Sequence, residues 1–167
     1  MLKNKILQDS KTRPVYVFFD MDGVLADYDI DKTGERLIKG NDYYTRKAPL
    51  PTAINFAKSL SEIPNVTVGI LSNCIYNVQA DEKRKWLSQY MPFLRPENIN
   101  IISYEAYGIA DDKQAKREAK CKFLNSKFHG NSCGVYLIDD DHQILKVFIK
   151  DTDNIVDVYH VSSIYVE

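Results

Sequence analysis

Three observations predict an α/β fold built on a mostly parallel sheet of about five strands. Short apolar runs rich in β-formers alternate along the chain with amphipathic segments of helical period. The runs are continuously apolar, as strands covered on both faces are. Several of them end in residues that carry side-chain oxygens, as strands that deliver groups to one sheet edge do.

The elements follow in order. "VYVFF" (Val15–Phe19) reads as the first buried strand, and "NVTVGIL" (Asn65–Leu71), "INIIS" (Ile99–Ser103), "GVYLI" (Gly134–Ile138) and "IVDVYHV" (Ile155–Val161) read the same way. Between them, "TAINFAKSLSEI" sets Ile54, Ala57, Leu60 and Ile63 roughly on one helical face. "DEKRKWLSQYM" carries Trp86, Leu87, Tyr90 and Met91, and the lone tryptophan reads as core. "DDKQAKREAKCKFLNSKF" sets Ala115, Ala119, Phe123 and Leu124 against a lysine-rich side. One segment breaks the rhythm: Asp27–Leu50 is polar and aromatic, longer than an ordinary strand-to-helix connection, and reads as a lid.

At 167 residues the chain suits one domain, 1–167, with a good core. The apolar share of 44% and charged share of 27% exclude a disordered chain. A net charge of −1 gives no general field for polyanions, although lysines along Lys113–Lys127 form a local basic stripe. The three cysteines lack zinc spacing, and "MLKNKILQDSKTRP" lacks the apolar core of a signal peptide. A reducing cytoplasm is therefore expected, with no membrane span.

The chemistry is expected at the carboxyl ends of the strands, where open parallel sheets bind ligands. Asp20 and Asp22 follow the first strand, Ser72 and Asn73 the second, and Asp139, Asp140 and Asp141 the fourth. An isolated Asp-x-Asp-Gly is usually a solvated turn. Carboxylates arriving at separate strand ends, with a hydroxyl on a strand between, call instead for a hard divalent cation, most simply Mg²⁺. A calcium loop at Asp27–Ile38 fails, because Lys32 stands where the sharp turn needs Gly and Ile38 where the bidentate ligand should be.

"DMDGVLAD", followed by "ILSN", a lysine-bearing helix and "LIDDD", resembles the haloacid dehalogenase-like (HAD) phosphatases, nearest to the 5'(3')-deoxyribonucleotidases and their small bacterial and phage relatives. The resemblance runs from about Val15 to Val147. It implies a Rossmann-like sheet with a small cap and a Mg²⁺-dependent phosphomonoesterase acting on a small phosphorylated substrate, a nucleoside monophosphate. It implies Asp20 as nucleophile and Asp22 as acid and base, with Mg²⁺ on Asp20, the Asp22 backbone, Asp139 and Asp140. Ser72 and Asn73 would hold the phosphoryl group with a lysine, for which Lys113 in the first helical turn is preferred and Lys116 comes next, ahead of Lys120. Tyr28, Tyr43 and Tyr44 are candidates to stack on a base, or to pack the lid. A phosphatase of polynucleotide ends and a catalytically silent binding module are the competing readings; the full set of charged residues speaks against the second.

Overall fold

The computed structural model describes residues 1–28, 30–109, 111–151 and 154–166, with the backbone alone for 30–33. Five parallel strands form the sheet: β1 (Val15–Phe19), β2 (Val66–Cys74), β3 (Ile99–Ser103), β4 (Gly134–Asp139) and β5 (Val156–His160). Their order is β3-β2-β1-β4-β5. The chain thus builds outward from β1 in one direction, then returns to its other side. Strand order reverses around β1, and a crevice opens at the carboxyl end of such a switch point.

The connections are the α-helices α1 (Leu2–Asp9), α2 (Pro51–Ser61), α3 (Asn77–Tyr90), α4 (Tyr104–Tyr107), α5 (Lys113–Phe128) and α6 (His142–Lys150). They cover both faces, because a parallel sheet needs crossovers that pack back on it. Alternation along β1 divides the core. Val15, Val17 and Phe19 join Leu2 and Ile6 of α1, Ala57 and Leu60 of α2 and Trp86 of α3. Phe18 joins Leu124 and Phe128 of α5 and Phe148 of α6 on the opposite face.

The expected strands and the three expected helices are present with shifted ends, and α1, α4 and α6 are additions. Helix α6 is capped by Asp141, whose Oδ1 accepts the Gln143 N–H at 2.7 Å, and it buries Ile144, Leu145 and Phe148. Strand β2 runs three residues beyond Leu71, because residues Ile70–Cys74 pair with β3 after pairing with β1 has ended at Ile70. Ser72 and Asn73 therefore lie inside a strand rather than behind it. Among the described residues no helix is long and apolar enough to cross a membrane.

The lid leaves and returns side by side: Asp27 N–H donates to Ala48 O at 2.8 Å and Leu50 N–H to Leu25 O at 2.7 Å. Between these ends it holds a 3-10 helix, Ile30–Leu37. Asp29, one of the carboxylates of the rejected calcium loop, lies outside the described residues. Helix α3 anchors the lid. Gln79, fully buried, donates to Arg36 O at 2.6 Å, and Trp86 Nε1–H donates to Lys47 O at 2.8 Å.

Candidate active site

The turn after β1 is set by its backbone. Asp20 N–H donates to Ile138 O of β4 at 2.9 Å, and the N–H groups of Leu25 and Ala26 both donate to Met21 O. Gly23 sits at φ +74°, and a Cβ there would fall 2.2 Å from Asp140 Oδ2. Neither the dihedral nor the space admits a side chain. The glycine behind the two carboxylates is what lets a third carboxylate, from β4, approach the turn.

Asp20, Asp139 and Asp140 can each turn one oxygen into a common space, with those atoms within 4.8 Å of one another. Among the described residues one ammonium meets them. Lys120 Nζ donates to Asp139 Oδ2 at 2.6 Å and lies 3.1 Å from Asp20 Oδ1, out of hydrogen-bond alignment, so that oxygen is buried without a hydrogen bond. The other oxygen of Asp139 accepts the Asp141 N–H at 2.9 Å. Burial pushes the Asp20 carboxyl up, Lys120 opposing it and Asp139 adding to it. Asp140 is pushed up to about 7, by burial first and then by the charges of Asp20 and Asp139. Too little positive charge stands here for three carboxylates.

Asp22 points the other way. Lys83 Nζ of α3 donates to Asp22 Oδ2 at 2.6 Å, to Ser72 Oγ at 2.7 Å and to Asn73 O at 2.8 Å. Lys47 Nζ, from the returning limb of the lid, lies 3.2 Å from Asp22 Oδ1 and donates to Asp27 O at 2.8 Å. Burial works to raise the Asp22 carboxyl, but the two ammoniums outweigh it and hold it below the usual range. The Asp22 carboxylate is thus apart from the three-carboxylate cluster.

Ser72 is fully buried, and Asn73 lines the cleft with its Oδ1 buried and lacking a hydrogen bond. The cleft over these groups encloses about 460 Å³ and is walled by Tyr28, Arg36 and Leu37 of the lid and by Tyr104.

The three candidate lysines take different positions. Lys113 is exposed, beyond the sheet edge, and Lys116 lines the cleft while ion-paired with Asp111. The lysine against Asp20 is Lys120, two turns into α5. Helical side chains lean toward the N-terminus, so Lys120 reaches back to an edge that its own Cα lies below. Its signal was legible: Lys120, Leu124 and Phe128 fall at i, i+4 and i+8, and all three are buried. Lys83 went unread although it stands three residues before Trp86 and four before Leu87, on their face of α3. Tyr43 and Tyr44 are buried for most of their surface, and both line the cleft. They meet edge to face at 4.9 Å and lie against Lys47 and Lys83 respectively. Of the three tyrosines, Tyr28 is the exposed one.

No protein-family model matches the chain, and the comparison with curated proteins gives no match. Solved structures do. A chain of the Pnkp1/Rnl/Hen1 RNA repair complex aligns with TM-score 0.60 and 14% identity over 89% of this chain and 43% of that one. The present chain therefore spans less than half its length. The class C acid phosphatase from Bacillus anthracis aligns with TM-score 0.55 and 18% identity, over 99% of this chain and 78% of that one. Its tungstate-bound form aligns with TM-score 0.52 and 17% identity, over 99% and 80%. At such identities the likeness speaks for architecture: the chain has a Rossmann-like α/β fold of the HAD type.

Proposed function

We propose that the chain is a Mg²⁺-dependent phosphomonoesterase that hydrolyses nucleoside monophosphates through an aspartyl-phosphate on Asp20. The observation that carries this reading is the buried Asp20 Oδ1. It lacks a hydrogen bond and stands beside the Lys120 ammonium, and Asp20 itself lines a cleft at the sheet's switch point. The fit to a cation is supported by three clustered carboxylates with no His or Cys among them, a hard-oxygen donor set short of positive charge. Asp20, Asp139 and Asp140 would hold the ion. Bound there, Mg²⁺ would offset the charge of the phosphoryl oxygens.

The residues divide the remaining work. Asp20 forms the new bond to phosphorus as the bond to the leaving oxygen breaks; water then cleaves the aspartyl-phosphate and restores the carboxylate. Lys120 supplies a fixed positive charge beside the nucleophile. Ser72 Oγ, fully buried, accepts from Lys83 and so helps to fix the ammonium that holds Asp22. Asp22, whose carboxyl Lys83 and Lys47 hold low in the free protein, takes up a solvent proton as the phosphate's negative charge raises its proton affinity, gives it to the leaving oxygen, and then takes the proton of the attacking water. Tyr28 and Arg36 at the mouth suit a base and a second polar group.

The test is a phosphate-release screen over nucleoside monophosphates, sugar phosphates and nitrophenyl phosphate, with Mg²⁺ and with EDTA. The expected result is Mg²⁺-dependent turnover, highest in kcat/KM on nucleotides. Turnover indifferent to EDTA, or none on any ester, overturns the reading.

A further inference from the structure

A second cavity, of about 500 Å³, lies between α5 and α6. Its walls carry four cations, Arg117 and Lys122 from α5 and Lys146 and Lys150 from α6, with two carboxylates, Glu118 and Asp151. The carboxylates are already engaged. Glu118 pairs with Lys122 at 2.7 Å and accepts from Gln114 at 2.6 Å, while Asp151 accepts from Asn125 at 2.8 Å. Among the described residues, Arg117, Lys146 and Lys150 are paired with no carboxylate. A lysine-rich helix face is ordinarily just solvated. Here the unpaired charges come from two helices and face one concave space.

The groove also meets the candidate active site end on. Both helices begin at the carboxyl edge of the sheet, so their first turns border the Asp20 cleft. Lys116 lines the cleft and its neighbour Arg117 the groove; Ile144 lines the cleft and Gln143 the groove. From Gln114 to Lys122 the groove follows α5 for about 12 Å. That length takes about three phosphates of an extended strand, one at each end and one between.

We propose that this groove binds a single-stranded polynucleotide whose terminal phosphate occupies the Asp20 cleft, with Arg117, Lys146 and Lys150 meeting successive internal phosphates. The inference rests on the phosphatase reading of the Asp20 site and narrows its substrate from mononucleotides to strand ends. Three phosphate contacts on a single strand predict that affinity falls about twentyfold between 50 and 200 mM salt.

Two measurements on the full chain test it. In the first, 3'- and 5'-phosphorylated hexathymidylates are compared with the corresponding thymidine monophosphates. One hexamer should exceed its monophosphate in kcat/KM by about tenfold at 50 mM salt, an advantage that salt removes. Combining Arg117→Ala, Lys146→Ala and Lys150→Ala should erase it while leaving monophosphate turnover unchanged. Equal kcat/KM for hexamer and monophosphate, or an advantage that survives the triple substitution, overturns the groove. In the second, fluorescence anisotropy follows a labelled phosphorylated hexamer on Asp20→Asn protein, with and without the three substitutions. Salt-sensitive binding that the substitutions weaken at least tenfold supports the groove even if no ester is hydrolysed, in which case the phosphatase reading alone has failed. Absent binding, or binding indifferent to the substitutions, overturns it.

Discussion

The turn after β1 stands between two unlike halves. Toward β2 and α3, one carboxylate, Asp22, meets two ammoniums, Lys83 and Lys47. Toward β4 and α5, the three carboxylates of Asp20, Asp139 and Asp140 meet, among the described residues, one ammonium, that of Lys120. Burial acts on both sides, yet Asp22 is held down and Asp20 pushed up. Two residues of the same turn therefore differ because of their partners, not their depth. The first half is self-sufficient in charge, and the second is short of it, which is where we propose a cation.

The largest effect that probes this contrast is the loss of Asp20. Asp20→Asn should lower turnover about ten-thousandfold or more, the scale of removing a nucleophile. It should leave the fold intact and, in EDTA, hold or raise Tm, because it removes one of three crowded charges. A variant with near-normal phosphate release would remove Asp20 from the chemistry.

Next comes the pair Lys120→Met and Lys83→Met, read by Tm in EDTA and in Mg²⁺. Each strips an ammonium from buried carboxylates, a change that costs about 3–5 kcal/mol when charge is left uncompensated. Lys120→Met should show the full loss in EDTA and recover much of it with Mg²⁺. Lys83→Met leaves Lys47 beside Asp22, so its loss should be smaller and should not respond to the metal. If Mg²⁺ rescues both alike, the two halves are not electrostatically distinct.

For the unmodified protein, Mg²⁺ at a hundred times its Kd should stabilise the native state by about 2.7 kcal/mol. Asp139→Asn should abolish that shift. A Tm indifferent to Mg²⁺ and EDTA would mean that the acidic half does not take the ion.

What the sequence disclosed, and what it hid, follows the same division. The acidic half was legible because Asp20, Asp139 and Asp140 each end a strand that its apolar run announces. The lysines of both halves were harder to read, since Lys83, Lys47 and Lys120 reach the site from two helices and the lid. A lysine on a helix reads as solvent-facing unless its apolar neighbours are checked at i+3, i+4 and i+8. Helices α1, α4 and α6 went unread for a different reason: at 8, 4 and 9 residues they show too few turns for a period to stand out.

The lid tyrosines probe the self-sufficient half with smaller effects. Tyr43 and Tyr44 pack on Lys47 and Lys83, so Tyr44→Ala should lower Tm and loosen Asp22 with little change in preference between a nucleotide and nitrophenyl phosphate. Tyr28→Ala, at the exposed mouth, should remove about 1–3 kcal/mol from nucleotide transition-state binding and leave the small ester unaffected. Equal losses on both substrates from Tyr28→Ala would make it packing as well.

The smallest effect expected is also the one that checks the charge count on the acidic side. Lys113 shares α5 with Lys120 and begins at the sheet's carboxyl edge, yet its side chain is exposed. An ammonium in water is screened, and at the surface a pair is worth about 0–1 kcal/mol even at contact distance. Lys113→Ala should therefore change kcat/KM by less than about twofold and leave the Mg²⁺-dependent Tm shift in place. Lys120→Ala should remove most of the activity. A tenfold loss from Lys113→Ala would mean that a second ammonium serves the three carboxylates. The acidic half would then lack less charge than its geometry implies, and the case for a cation there would weaken with it.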